Sequence, residues 1–301
     1  MPTKALETIL YRDLSKVEAK DVIDIASPLL EELVNYSTNA YARCLTSASG
    51  EENEDLAVLM LYQHLVEMTD GVEVLIAQSC PTPAILLVRS SFEALISIEY
   101  ILEADYARHS LSWFAGYVRQ MLVSLKALDS STTEGQDFQN AIQDDAWLDS
   151  DIMTRLDSFE LETSEDITNL HKLLGKPQFQ AIEEEFANYK RKRKRRPEWY
   201  QLFDGPTNLR NLARHVRRHA QYDFLYRKWS RITHAQDMSR FLNTRLRDGS
   251  VIKEVATFSS CFILDGTRRT LGKLRPGEDL GAWYKAEVQD RFRILTKARG
   301  P

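Results

Sequence analysis

The sequence is poor in chain breakers, with 12 glycines and 9 prolines in 301 residues. So few breakers argue against many short, turn-linked strands and for long helices. Cysteine is scarcer still. Cys44, Cys80 and Cys261 lie far apart, are odd in number and make no C-x-x-C spacing; this argues against a disulfide framework and a zinc site, and fits a reducing compartment. Long uncharged apolar runs are also missing. The richest stretch, residues 83–102, is interrupted by Arg89, Glu93 and Glu99 and does not read as a membrane span. The opening residues Met-Pro-Thr-Lys-Ala-Leu-Glu lack the apolar run of a signal peptide, so a cytoplasmic protein is expected. The sequence has no Walker A loop, dinucleotide glycine fingerprint, G-x-S-x-G elbow or paired Glu-x-x-His of di-iron bundles. Neither a cofactor nor a metal is expected.

What is present suits a packed helical chain. Hydrophobic residues make up 43% and charged residues 28%, enough apolar surface for a substantial core. The length suggests one large domain or two ordinary ones. Helical periodicity is read over residues 18–47, with Pro28 as a candidate break, then 56–79, 84–102, 106–128, 164–174, 177–191, 222–246, 251–274 and 277–297. The 84–102 helix is apolar on nearly every side and is expected at the centre of a bundle. Residues 129–163 are polar and acidic and read as a connecting insertion. The expected fold is an all-α, multi-helix up-and-down bundle. Its core is read over 51–250, chiefly 50–128 with 164–250, and the helices of 1–50 and 251–301 pack around it.

Charge is unevenly spread. The net is −5, yet residues 190–247 hold 17 Lys/Arg against four acids, while the rest of the chain carries a net −18. Two readings fit: the central segment meets an anion, or it neutralises the acidic remainder. Within it, Lys190, Arg191, Lys192, Arg193, Lys194, Arg195 and Arg196 are seven consecutive cations. They can track a nucleic-acid backbone, with Trp199 and Tyr200 for base stacking and Arg210 and Arg214 adding phosphate contacts. They can equally be a solvated run or, in a eukaryotic protein, a nuclear-localisation signal.

The stretch with most chemistry is residues 222–237. Arg227 and His234 are seven apart, which on a helix brings them back to within about 20° of one face, roughly 10 Å along the axis. Ser230 lies between them and Asp237 one turn beyond. A neutral imidazole can take the proton of a ribose 2′-OH, and a guanidinium can hold the phosphate it attacks. Ser230 would orient the phosphate or the imidazole, and Asp237 would fix the tautomer. The plain alternative is an Asp223–Arg227 surface pair at i,i+4 with His234 hydrogen-bonded in the core. Arg210–His215 and Arg214–His219 are each five apart, about 140° around the helix, and suit one site less well. In the apolar helix, Arg89 and Glu93 read either as a structural ion pair or as support for the Arg227/His234 helix. Ser90 and Ser91 read as small packing positions, because no histidine stands at a telling spacing.

The string Tyr226-Arg227-x-Trp229-Ser230-x-x-x-His234-x-x-Asp237 resembles the signature of an uncharacterised bacterial family of unknown function. So do Arg89-Ser-Ser-Phe-Glu93, Trp199-Tyr200 and Gly205-Pro206-Thr-x-x-Arg210-x-Leu-Ala-Arg-His215, over roughly residues 55–245. The Arg-x6-His spacing is also similar to that of the HEPN (higher eukaryote and prokaryote nucleotide-binding) superfamily, whose members are helical bundles, often dimers, and many of them ribonucleases of toxin–antitoxin or antiphage systems. Lys228 departs from the Asn, Asp or His common after the arginine there. This second resemblance implies a homodimer, an RNA substrate, an antitoxin or defence partner, and a metal-independent endoribonuclease. In that reading His234 is the general base, Arg227 stabilises the phosphate, and Ser230, Tyr226 and Asp237 support them. A non-catalytic helical sensor and an RNA- or nucleotide-binding protein without turnover are the other functions that the residues allow.

Overall fold

The computed structural model describes residues 12–48, 54–103, 105–145, 160–233 and 249–298. They contain helices and turns and no strand, which is the all-α class expected from the scarcity of breakers. No described helix is long and apolar enough to cross a membrane. Chain contacts divide the protein into two compact units: residues up to Tyr106 together with those from Leu209 onward, and Ala107–Asn208 between them.

The first unit is built on four long helices. After the short α1 (Arg12–Glu18) come α2 (Lys20–Ser47), α3 (Glu54–Ala77) and α4 (Pro81–Glu103); the fourth, α11 (Gly249–Leu274), comes from the far end of the chain. Each packs on its neighbours in a ring of four, and α11 also reaches across to α3. Short connections force α2, α3 and α4 into alternating directions. Helix α2 runs unbroken through Pro28, although a proline there removes a hydrogen bond to the Asp24 carbonyl. The burial of Leu29, Leu30 and Leu33 just beyond it offsets that loss, each contributing about 1.5–3 kcal/mol.

As its all-round hydrophobicity predicts, α4 is the most buried helix, and Ile85, Val88, Phe92, Leu95, Ile96, Ile98 and Ile101 are all sealed from solvent. One polar network crosses the interior of the bundle. Tyr62 Oη lies 3.1 Å from the Ser37 carbonyl and 2.9 Å from Thr267 Oγ1, itself 2.9 Å from Ser37 Oγ. Two more helices, α9 (Leu209–His215) and α10 (His219–Thr233), pack on α4. Beyond α11, a turn at Gly281–Trp283 and a π-helical turn at Tyr284–Val288 lead into α12 (Gln289–Lys297), which packs on α2 and α11.

The second unit holds α5 (Tyr106–Leu128), α6 (Thr133–Asp144), α7 (Glu160–Leu174) and α8 (Gln180–Arg193). Phe114 and Phe179 stack with centroids 6.0 Å apart, and Val118, Leu122, Ile182 and Phe186 are buried. Part of the polar stretch read as a connection is thus ordered helix. Thr132 starts α6 by accepting a hydrogen bond from the Gly135 amide at 2.9 Å, the N-cap that its hydroxyl allows.

Candidate functional site

The helix that carries Arg227 is fixed at two points in the first unit. At its start, α9 ends in a Schellman-type turn: Arg217 takes φ 62 and the Arg218 amide bonds back to the Ala213 carbonyl at 2.7 Å. The positive φ, unusual for arginine, satisfies the last carbonyls of α9 and sends the chain straight into α10. Arg218 then meets Glu99 of α4, with Nε–Oε2 at 2.5 Å and Nη2–Oε1 at 2.7 Å, and Asp265 of α11 at 2.7 Å. Glu99 is 5% exposed and the Arg218 side chain 13%. Burial alone would lower the Arg218 pKa, but the hydrogen bonds that it donates to Glu99 and Asp265 outweigh it and raise the pKa above the ordinary value. Arg269 adds a longer contact to Glu99 at 3.4 Å. The costly buried acid of α4 is therefore Glu99, whereas Glu93 lies at the surface.

About two turns into α10, Tyr226 makes the second attachment. Its hydroxyl donates to Glu93, and the Arg89 guanidinium lies 4.1 Å from its ring centroid, a cation–π contact. Burial, followed by the Glu93 charge, pushes the phenol pKa above its ordinary value despite the opposing pull of Arg89, so the hydroxyl remains a donor. Tyr222, one turn earlier, stacks on Tyr226 at 4.3 Å with planes 11° apart. Arg89 and Glu93 thus both meet the Arg227 helix at Tyr226.

Arg227 itself projects into solvent, with its side chain 75% exposed, and Nε stands 3.8 Å from Asp223 Oδ1. Arg210 approaches the same oxygen at 3.2 Å, so two guanidiniums share one carboxylate. The i,i+4 Asp223–Arg227 pair of the plain alternative is present. Lys228 points elsewhere: its ammonium lies 2.7 Å from both carboxylate oxygens of Glu254 on α11. Trp229 is buried against Phe224 and Phe258. His234 and Asp237 lie outside the described residues, and of Ser230 the backbone alone is described.

One neighbour of this site was invisible in the sequence. His64 of α3 places Nε2 2.7 Å from Ser90 Oγ on α4, beside Arg89. Ser91, by contrast, is buried and donates to the Leu87 carbonyl at 3.0 Å, a packing position as expected. Reading Ser90 as mere packing missed this partner because His64 comes from another helix, 26 residues away. His215, whose spacing from Arg210 suits one site poorly, pairs with Glu103 at 2.7 Å and sets its ring edge-on to Tyr100.

The remaining residues read as RNA-binding divide between the units. Arg210 joins Arg227 through Asp223, and Arg214 is exposed in the same unit. Lys190–Arg196 are all exposed in the second unit, where Lys190, Arg196 and Trp199 line a cleft of about 920 Å³. Four of these cations occupy the last turn of α8, where the helix dipole favours positive charge.

The model of a family of unknown function, DUF5677, matches residues 55–250, more than half of the chain, and the chain belongs to that family. No curated protein and no solved structure matches it.

Proposed function

We infer that the chain is a metal-independent endoribonuclease centred on Arg227 and His234. The observation that carries this reading is the placement of Arg227: its side chain is 75% exposed on a helix held by Arg218–Glu99 and Tyr226–Glu93. A rigidly mounted, exposed guanidinium beside a second one, Arg210, suits a phosphodiester. His234, seven residues on, takes the 2′-OH proton. The 2′-oxygen then attacks phosphorus, the P–O5′ bond breaks, and the departing 5′-oxygen takes up a proton. The products are a 2′,3′-cyclic phosphate and a 5′-hydroxyl. The similarity of the Arg-x6-His spacing to HEPN ribonucleases supports the same chemistry, a homodimeric active form and a role in toxin–antitoxin or antiphage systems.

Purified protein incubated with total RNA in EDTA tests it. Cleavage is expected to leave 2′,3′-cyclic phosphate ends and to fall about 100-fold or more in His234→Ala, with a comparable fall in Arg227→Ala. Cleavage that survives both substitutions sinks the assignment. The Asp223 carboxylate between Arg210 and Arg227 favours a second reading, a non-catalytic helical interaction module in which these charges serve the surface. Absence of cleavage by the wild type puts that reading first.

A further inference from the structure

The second unit contains a cleft lined by both aromatic and charged side chains. Trp113 and Tyr117, one turn apart on α5, lie with planes 5° apart and centroids at 5.6 Å, and Tyr117 is 40% exposed. Trp199 joins them from the segment after the basic run. A Cβ on Gly116 would come within 3.0 Å of Trp199 Cβ, so the missing side chain is what lets Trp199 sit against α5 at the same level. The cleft is also lined by charge: Lys126, Lys190 and Arg196, with the carboxylates of Glu134, Glu184 and Glu198. Arg119 serves the structure instead: it forks onto Glu183 at 3.0 and 2.6 Å and lies 4.4 Å from the Phe186 ring centroid.

Both ends of the seven-residue cationic run face this cleft. Lys194 takes φ 53 as the left-handed cap of α8, and this reversal is what brings Arg196 back to the cleft that Lys190 already lines. Flat aromatic faces beside cations from both ends of the run match a ligand with flat, uncharged rings on a chain of regularly spaced anions. The acids fit the same ligand, since carboxylates accept hydrogen bonds from base amino groups. A duplex keeps its bases stacked inside and cannot offer them to Trp113 or Trp199.

We propose that this cleft binds single-stranded polynucleotide, with bases on Trp113, Tyr117 and Trp199 and phosphates along Lys190–Arg196. It uses residues of the second unit alone and takes from the nuclease reading only the nature of the ligand.

The test uses the full chain carrying Arg227→Ala, so that turnover does not intervene. A fluorescein-labelled single-stranded RNA of about 12 nucleotides, within the span one groove engages, is titrated by anisotropy alongside the same sequence as DNA and as an RNA duplex. Both single strands are expected to bind, to quench tryptophan fluorescence and to outcompete the duplex. Tyr117→Ala, at an exposed position, weakens binding about 5- to 100-fold, and Tyr117→Phe restores it. Lys190→Gln with Arg196→Gln weakens all sequences alike and lowers the slope of log affinity against log salt by roughly 0.7 for each phosphate that is no longer neutralised. The proposal is overturned if no single strand binds, if the duplex binds as well, or if the Tyr117 and Lys190/Arg196 variants bind like the parent. Single-strand binding without cleavage by the wild type overturns the nuclease reading alone; cleavage with affinity insensitive to these variants overturns the cleft alone.

Discussion

Glu99 and Arg218 show how a single residue pair sets the site. Leucine at 99 would suit the apolar environment better, and a buried ion pair gains little over well-packed hydrophobic side chains. What the pair does is fix where α10 begins, because Arg218 reaches Glu99 on α4 and Asp265 on α11 at once. Removing one partner leaves the other charged and buried. Arg218→Met is expected to lower stability by about 3–5 kcal/mol, read as a shift of the urea midpoint with an unchanged slope. Glu99→Leu combined with Arg218→Met recovers most of that stability. If the double variant is no more stable than Arg218→Met, the stranded Glu99 charge is not the cause.

Among the elements, α6 rests on the most tightly specified turn. The Asp129 carbonyl accepts from the Thr132 amide at 3.0 Å and from Thr132 Oγ1 at 2.8 Å, while the Asp129 side chain holds Ser131 at 2.9 and 2.6 Å. A Cβ on Gly135 would stand 1.9 Å from that same carbonyl oxygen. Gly135→Ala gains about 1 kcal/mol of helix propensity, but the carbonyl must move and give up its hydrogen bonds. A net destabilisation of about 1–3 kcal/mol is expected, and about 1 kcal/mol for Thr132→Ala, which deletes the cap. A Gly135→Ala urea midpoint equal to that of the wild type would show that the turn yields freely.

Much at this scale was legible beforehand. Apolar spacing located α3, α4, α5 and α11 to within a few residues, since long amphipathic or fully apolar helices impose their own period on the sequence. The α6 helix was hard to see because its pattern is short and polar, and the signal that fixes it, a Thr cap and a glycine under a carbonyl, is local geometry rather than periodicity. The site was legible only along one helix. Arg227 and Asp223 stood out by i,i+4 spacing and Tyr226 by the family resemblance, whereas the His64–Ser90 contact and the Arg218–Glu99 pair join helices at separations of 26 and 119 residues. Periodicity reports which face of a helix is apolar, not which neighbour it meets.

For the molecule as a whole, that limit matters most where segments far apart in the sequence come together. The first unit is completed only when the C-terminal segment returns to α2. There Arg43 and Arg275 hold the Glu278 carboxylate, Trp283 stacks on Tyr36 at 3.7 Å and its indole N–H donates to Glu32 at 2.7 Å. Hydrogen bonding from Arg43, against a smaller opposing effect of burial and reinforced by Arg275, holds the Glu278 carboxyl below its ordinary value of 4.5. A carboxylate with a depressed folded pKa stabilises the fold above the unfolded value, and that contribution disappears as pH falls through the folded one. Glu278→Gln should therefore be less stable than the wild type at pH 7, by at most about 1 kcal/mol for so accessible a pair. The gap should stay constant down to the ordinary carboxylate range and close below it as the wild-type group protonates. Urea unfolding of both proteins across that range provides the measurement. A gap that persists unchanged into strong acid would mean that the segment is held by the Trp283–Tyr36 stack and its apolar neighbours, with no ionic share from Glu278.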